Sequence, residues 1–208
     1  MAKLTTTFAL AAVLVAAKAP AAIMYFDPDP DIVIATNYAG VSVNLETGAV
    51  SNDLNGVAGG DANFFFGGAE LSNDADVNAV TPRWHPVRLG PGNTDVVANL
   101  SLDTPVDAGS TFGTGFGGSG NPNSHFPTFT AGTPGYLGFS LELDGGGTAY
   151  GWMEVTFESD GVTPGAIHRW AYESEAGTTI LVGAIPEPGA GVLVLLGLAG
   201  FVLRRRRR

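Results

Sequence analysis

The run Tyr136-Leu137-Gly138-Phe139-Ser140-Leu141-Glu142-Leu143, the linker Asp144-Gly145-Gly146-Gly147 and the run Tyr150-Gly151-Trp152-Met153-Glu154-Val155-Thr156-Phe157 decide the fold class. In the first run Leu137, Phe139, Leu141 and Leu143 alternate with Tyr136, Gly138, Ser140 and Glu142. A period of two belongs to a strand with one buried face. In the last run Met153, Val155 and Phe157 fall opposite Trp152 and Glu154. The Asp-Gly-Gly-Gly linker calls for positive φ angles, which glycine adopts at no steric cost. Residues 136–157 therefore read as one β-hairpin.

Outward from the hairpin the pattern continues in short pieces. Residues 31–36 are a brief apolar run, and Val41, Val43 and Leu45 alternate with Ser42 and Asn44. Further strands are expected at 63–66, 96–102, 167–172 and 178–182. Gly or Pro recurs every ten residues or so, and no amphipathic helix of three turns is present. Thirty glycines and thirteen prolines among 208 residues are too many for a mostly helical protein. With 14% charged and 45% apolar residues, the chain is no disordered polyampholyte either. Residues 22–183 are thus expected to form an antiparallel β-sandwich, jelly-roll-like, of about eight to ten strands. The absence of cysteine excludes disulfides, thiolate metal sites and cysteine nucleophiles.

The net charge of −10 averages over unlike parts. Lys3, Lys18 and Arg204, Arg205, Arg206, Arg207 and Arg208 lie in the termini. Between Ile23 and Ile185 only Arg83, Arg88 and Arg169 stand against nineteen carboxylates, a formal charge of −16. Such a surface offers no cationic patch to a phosphate backbone, so nucleic acid is excluded as a partner.

Both ends carry targeting features. Lys3 precedes the apolar run 4–17, which has the length of a signal h-region, and Ala19-Pro20-Ala21 supplies small residues at −3 and −1. Residues 1–21 read as a secretory signal helix cleaved after Ala21. At the other end, residues 184–208 hold Pro186-Glu187-Pro188, the apolar run 189–203 and five arginines. The prolines cannot lie inside a helix, so a membrane-entering helix begins after them. Fifteen helical residues span roughly 22 Å, against a hydrocarbon core of ~30 Å. Snorkelling arginines and local thinning offset part of that deficit. The positive-inside rule places Arg204 to Arg208 in the cytoplasm as a membrane stop and the rest of the chain outside.

Pro186-Glu187-Pro188, a short apolar helix containing Gly197 and Gly200, and a terminal arginine cluster together resemble the PEP-CTERM sorting signal. The resemblance covers the last 23 residues or so and implies export with a signal peptide in a bacterium that has an outer membrane. It implies processing by an exosortase-type membrane enzyme, with Pro186, Glu187 and Pro188 as the recognition element, and an association with exopolysaccharide and biofilm. Residues 135–152 together with His168-Arg169-Trp170-Ala171-Tyr172-Glu173 are similar, more loosely, to the ectodomain of many such proteins. That implies a β-rich secreted domain and no activity. A simple tail anchor is the competing physical account of the C-terminus.

Several constellations invite chemistry. Asp27-Pro28-Asp29-Pro30-Asp31 sets three carboxylates at alternate positions of a proline-stiffened segment, suited to a hard cation such as calcium. A solvated acidic entry to the first strand is the plainer account. Asn52-Asp53-Leu54-Asn55-Gly56 and Asn73-Asp74-Ala75-Asp76 lack the EF-hand spacing. Residues 113–118 match G-x-G-x-x-G formally, but no helix follows. Neither H-E-x-x-H nor G-x-S-x-G is present, and His85, His125 and His168 stand in unlike contexts. Glu142, Glu154 and Glu158 flank the hairpin as a conceivable glycosidase set, but read better as solvent-side residues. In Arg83-Trp84-His85-Pro86-Val87-Arg88 the indole of Trp84 either stacks on a sugar or plugs the core while the arginines meet acids.

The expectation is a non-enzymatic exported protein of the cell envelope or surface, sorted through its C-terminus and associated with exopolysaccharide or biofilm matrix. The alternative is a carbohydrate-binding module, with calcium as its only candidate cofactor, delivered by the same route.

Overall fold

The computed structural model describes residues 22–73, 83–90, 96–113, 128–158, 160 and 162–186. Within them the chain is all-β, with antiparallel sheets and a single 3-10 turn. The strands are β1 (Ile23–Phe26), β2 (Ile32–Ile34), β3 (Val41–Val43), β4 (Val50–Ser51), β5 (Ala62–Phe65) and β6 (Glu70–Asn73), then β7 (Trp84–Pro86) and β8 (Pro105–Val106). The long strands β9 (Pro134–Glu142), β10 (Thr148–Thr156) and β11 (Gly165–Glu173) and the short β12 (Ile180–Leu181) complete the set. The signal segment expected at 1–21, with Ala19 and Ala21, and the C-terminal run with Glu187, Pro188 and the arginine cluster, lie outside the described residues. Among the described residues no helix is long and apolar enough to cross a membrane.

The β9–β10 hairpin is present, but its middle is covered on both faces: Gly138, Ser140, Tyr150 and Trp152 are buried as well as Leu137, Phe139 and Leu141, where alternation implied one buried face. Its register runs from Glu142 opposite Thr148 to Pro134 opposite Thr156. Gly146 and Gly147 hold φ values of 87° and 91° in the connecting turn. Gly151 lies opposite Phe139, and a Cβ there would sit 2.2 Å from the Phe139 ring, so the ring lies flat across the strand only because no side chain intervenes.

Hairpin-linked β9, β10 and β11 sit side by side in a six-stranded sheet of order β1-β11-β10-β9-β7, with β2 also paired to β11. Within it β9, β10 and β11 form a meander, while β1 with β2 on one edge and β7 on the other join by long connections. A second sheet has the order β4-β3-β5-β6, and β8 pairs with β12 in a separate ribbon.

The apolar residues of β3, β5 and β6 share one buried cluster with Leu137, Phe139, Leu141, Met153, Val155 and Ile167 of the large sheet. Two tryptophans knit this cluster together. Trp84 meets Phe64 edge-on at 6.0 Å, and Trp170 stacks on Phe26 at 4.8 Å while its Nε1–H donates to the Leu45 carbonyl at 3.1 Å. The opposite face of the large sheet is partly covered by the β8–β12 ribbon, over a smaller cluster around Val106, Tyr150, Trp152, Ile180 and Val182.

Two differences from the sequence reading have physical causes. Residues 96–102 form no strand and make only isolated bridges, Arg88 to Val97 and Leu100 to Tyr136. Asn99 interrupts the ladder there: the Tyr136 amide donates to its side-chain oxygen, and its amide group donates to the Thr128 carbonyl. Strand β1 escapes the pattern because its continuation is hidden. β1 and β2 both pair with β11, along one edge, opposite residues 170–173 and 165–167. They are one edge strand broken by the excursion Asp27-Pro28-Asp29-Pro30-Asp31, whose Asp29–Pro30 peptide is cis.

Candidate functional site

Opposite that excursion β11 has a bulge. Val155 pairs with Ile167 and Glu154 with Arg169, which leaves His168 as the extra residue. A bulge re-aims the side chain it inserts. His168 Nδ1 lies 2.8 Å from Asp31 Oδ2, and His168 Nε2 lies 2.8 Å from Thr156 Oγ1. With the proton on Nδ1, the ring donates to Asp31 and accepts the Thr156 hydroxyl, a tautomer assigned from these partners. The order hydroxyl–imidazole–carboxylate matches a hydrolase triad. Thr156, however, lies in an interior strand whose amides belong to ladders, not on an exposed turn beside oxyanion donors. The chain of bonds holds the edge excursion against the bulge.

One step along the same face lies a second network. Glu154 is flanked by Tyr136 on β9 and Arg169 on β11. Tyr136 donates its hydroxyl to Glu154 Oε1 at 3.3 Å, and Arg169 Nε donates to Glu154 Oε2. Hydrogen bonding to the Tyr25 oxygen first, then to Glu154, holds the Arg169 guanidinium above its ordinary range against the opposing effect of burial. Beneath them the buried Trp152 receives the Tyr136 ring edge-on at 6.0 Å, and the Arg169 guanidinium carbon stands 6.0 Å from its centroid. Trp152 Nε1–H donates to the Ala184 carbonyl at 3.0 Å. The result is a half-exposed band of two phenols, a carboxylate and a guanidinium, all held in place by one another.

The band was not legible from spacing alone. Alternation puts Tyr136 and Glu154 on one face, but the bulge shifts β11 by one residue and brings Arg169 beside Glu154. The signal is local: His168 and Arg169, two consecutive polar residues, separate the core residues Ile167 and Trp170, which breaks the period of two.

The remaining candidates fall elsewhere. Trp84 is fully buried, so no face of its indole is open to a sugar, and it fills the core instead. Its neighbour Arg83 meets three carboxylates, Asp144 at 2.9 Å, Glu46 at 3.2 Å and the buried Asp61 at 3.5 Å. Asp61 Oδ2 also accepts the Leu45 amide at 2.7 Å. Burial pushes the Asp61 carboxyl up to about 6, although the Leu45 amide and Arg83 pull it down. Burial, then Glu46 and Asp61, raise the Tyr172 phenol above its ordinary value.

Asp27, Asp29 and Asp31 are exposed, and Asp31 is engaged by His168. Among the described residues no three His, Cys, Asp or Glu side chains are grouped to hold a metal ion. Of the sorting motif only Pro186 is described, and it is exposed. No protein-family model, no curated protein and no solved structure matches the chain.

Proposed function

We propose that this protein is an exported, non-catalytic β-sandwich of the cell envelope, sorted through its C-terminus by an exosortase-type membrane enzyme and associated with exopolysaccharide matrix. The observation that carries this reading is the ordered series of Pro186-Glu187-Pro188, apolar run and five arginines. That two sheets share one buried core supports a sandwich.

The ends of the folded unit suit such a route. The Ser174 amide donates to the Ala22 carbonyl at 3.0 Å, and β1 begins at Ile23, immediately past the expected cleavage point. At the other end Val182 is buried and Ala184 anchors Trp152, so the sorting motif follows the domain almost without a linker. Ile23 and Ala184 pack against the same apolar cluster, which brings the two exits to one region. The test is expression in a host with and without its exosortase, followed by intact-mass analysis of each cell fraction. With the enzyme, the product is expected to begin at Ala22, lack the arginine cluster and leave the inner membrane. Untrimmed chain dissolved in the cytosol would sink the reading.

A second reading, glycan binding, is favoured by the Tyr25, Tyr136, Glu154 and Arg169 band, since planar charged pairs beside aromatic rings suit sugar diols. On a glycan array run with and without calcium, Arg169→Ala, verified as folded by circular dichroism, is expected to abolish any binding. Binding that survives this substitution refutes the band as the site.

A further inference from the structure

The described chain ends on an apolar tip. Leu102, Leu181 and Ile185 are 57%, 45% and 50% exposed, large apolar side chains on a domain whose surface is strongly acidic. They lie on two segments, 102–104 and 181–185, that hydrogen bonds join. The Asp103 amide donates to the Val182 carbonyl, the Val182 amide to Thr104, and the Ala184 amide to Leu181. Gly183 takes φ 84°, and a Cβ there would lie 2.6 Å from Leu102 Cδ2, so the Leu102 side chain rests on the turn that leads out of the domain. Ile180 and Val182 point inward and fix the ribbon to the large sheet.

The chain beyond the tip sets what can cover it. Only Glu187 and Pro188 separate Pro186 from the apolar run that begins at Gly189. Three Cα steps of ~3.8 Å reach at most about 11 Å. The headgroup layer on each side of a bilayer is about 5–8 Å deep. Read from the sequence as a helix, this fifteen-residue run would be roughly 22 Å long against a core of ~30 Å, a shortfall that draws its flanks further toward the lipid.

We propose that Leu102, Leu181 and Ile185 seat in the headgroup layer of the membrane that holds the C-terminal run, so that the domain is docked on the bilayer and not tethered above it. This rests on the C-terminal run entering the inner membrane, the state that precedes trimming by the sorting enzyme proposed above. The exposed Asp103 within the tip and the −16 charge of the domain favour a zwitterionic surface over an anionic one.

Because the chain has no cysteine, single labels are unambiguous. Full-length Leu102→Cys, Leu181→Cys, Leu54→Cys and Leu195→Cys variants, each carrying an environment-sensitive fluorophore, are reconstituted into phosphatidylcholine vesicles doped with nitroxide lipids. Leu54 is 72% exposed in the loop after β4 and serves as the water-facing control. Labels at 102 and 181 are expected to shift to the blue and to be quenched by headgroup nitroxides several-fold more than the label at 54. The label at 195 is expected to be quenched by acyl-chain nitroxides. If 195 is quenched while 102 and 181 behave like 54, docking is refuted and anchoring stands. If 195 stays in water, anchoring fails and docking with it.

Discussion

Trp170→Ala is expected to destabilise the domain by about 3–5 kcal/mol, a large part of the stability of an ordinary domain. Trp170 is 1% exposed and stacks on Phe26 from the edge strand. Its indole N–H reaches the Leu45 carbonyl just past β3, so one side chain joins both sheets and the sheet edge. Truncation leaves a cavity and strips a buried carbonyl of its donor. Trp170→Phe separates the two effects. It keeps most of the apolar volume and should cost about 1–3 kcal/mol, the range for an unsatisfied buried polar group. Urea unfolding of the mature chain followed by far-UV circular dichroism measures both. Equal losses for Ala and Phe would show that the Leu45 bond, not packing, dominates at this position.

Stability is expected to fall as pH rises from about 4 to about 6 through Asp61. Its folded-state pKa is about 6, against an ordinary value of 3.8. Between these values the folded chain binds more protons than the unfolded one, so the slope of unfolding free energy with pH is negative there and flat above. At roughly 1.4 kcal/mol per unit, the contribution is about 2–3 kcal/mol. Asp61→Asn keeps an acceptor for the Leu45 amide and removes the titration, and Arg83 retains Glu46 and Asp144. The substitution leaves every other carboxylate in place, so the difference between the two proteins reports Asp61 together with its charged neighbours Glu46 and Asp144. Asp61→Asn should gain on the parent as pH rises to 6 and keep that gain to pH 7. Parallel stability curves from pH 4 to 7 would contradict the buried ionisation.

What the sequence made legible follows from what kind of interaction places each residue. The β9–β10 hairpin is local: its alternation and its Gly-Gly turn specify it within twenty-odd residues. The core role of Phe139 is nearly as local, because alternation sets it on the apolar face; Trp152, which alternation groups with Glu154, is buried only because the β8–β12 ribbon covers that second face. The site is different. Glu154 meets Arg169 only through the bulge that shifts the β10–β11 register, and His168 meets Asp31 across 137 residues of chain. The Asp27-Pro28-Asp29-Pro30-Asp31 segment shows the limit clearly. Its charge spacing invites a cation, whereas its position across from a bulge directs Asp31 to an imidazole.

The same interruption governs how copies of this domain meet. An outer strand with open amides is a template on which a neighbouring molecule can lengthen a sheet. Here that border is divided into β1, of four residues, and β2, of three, with two prolines and three carboxylates between them. Neither piece is long enough to hold a stranger in register, and the acids repel the same acids on an approaching twin. Along this border the break therefore works against edge-to-edge pairing of two domains.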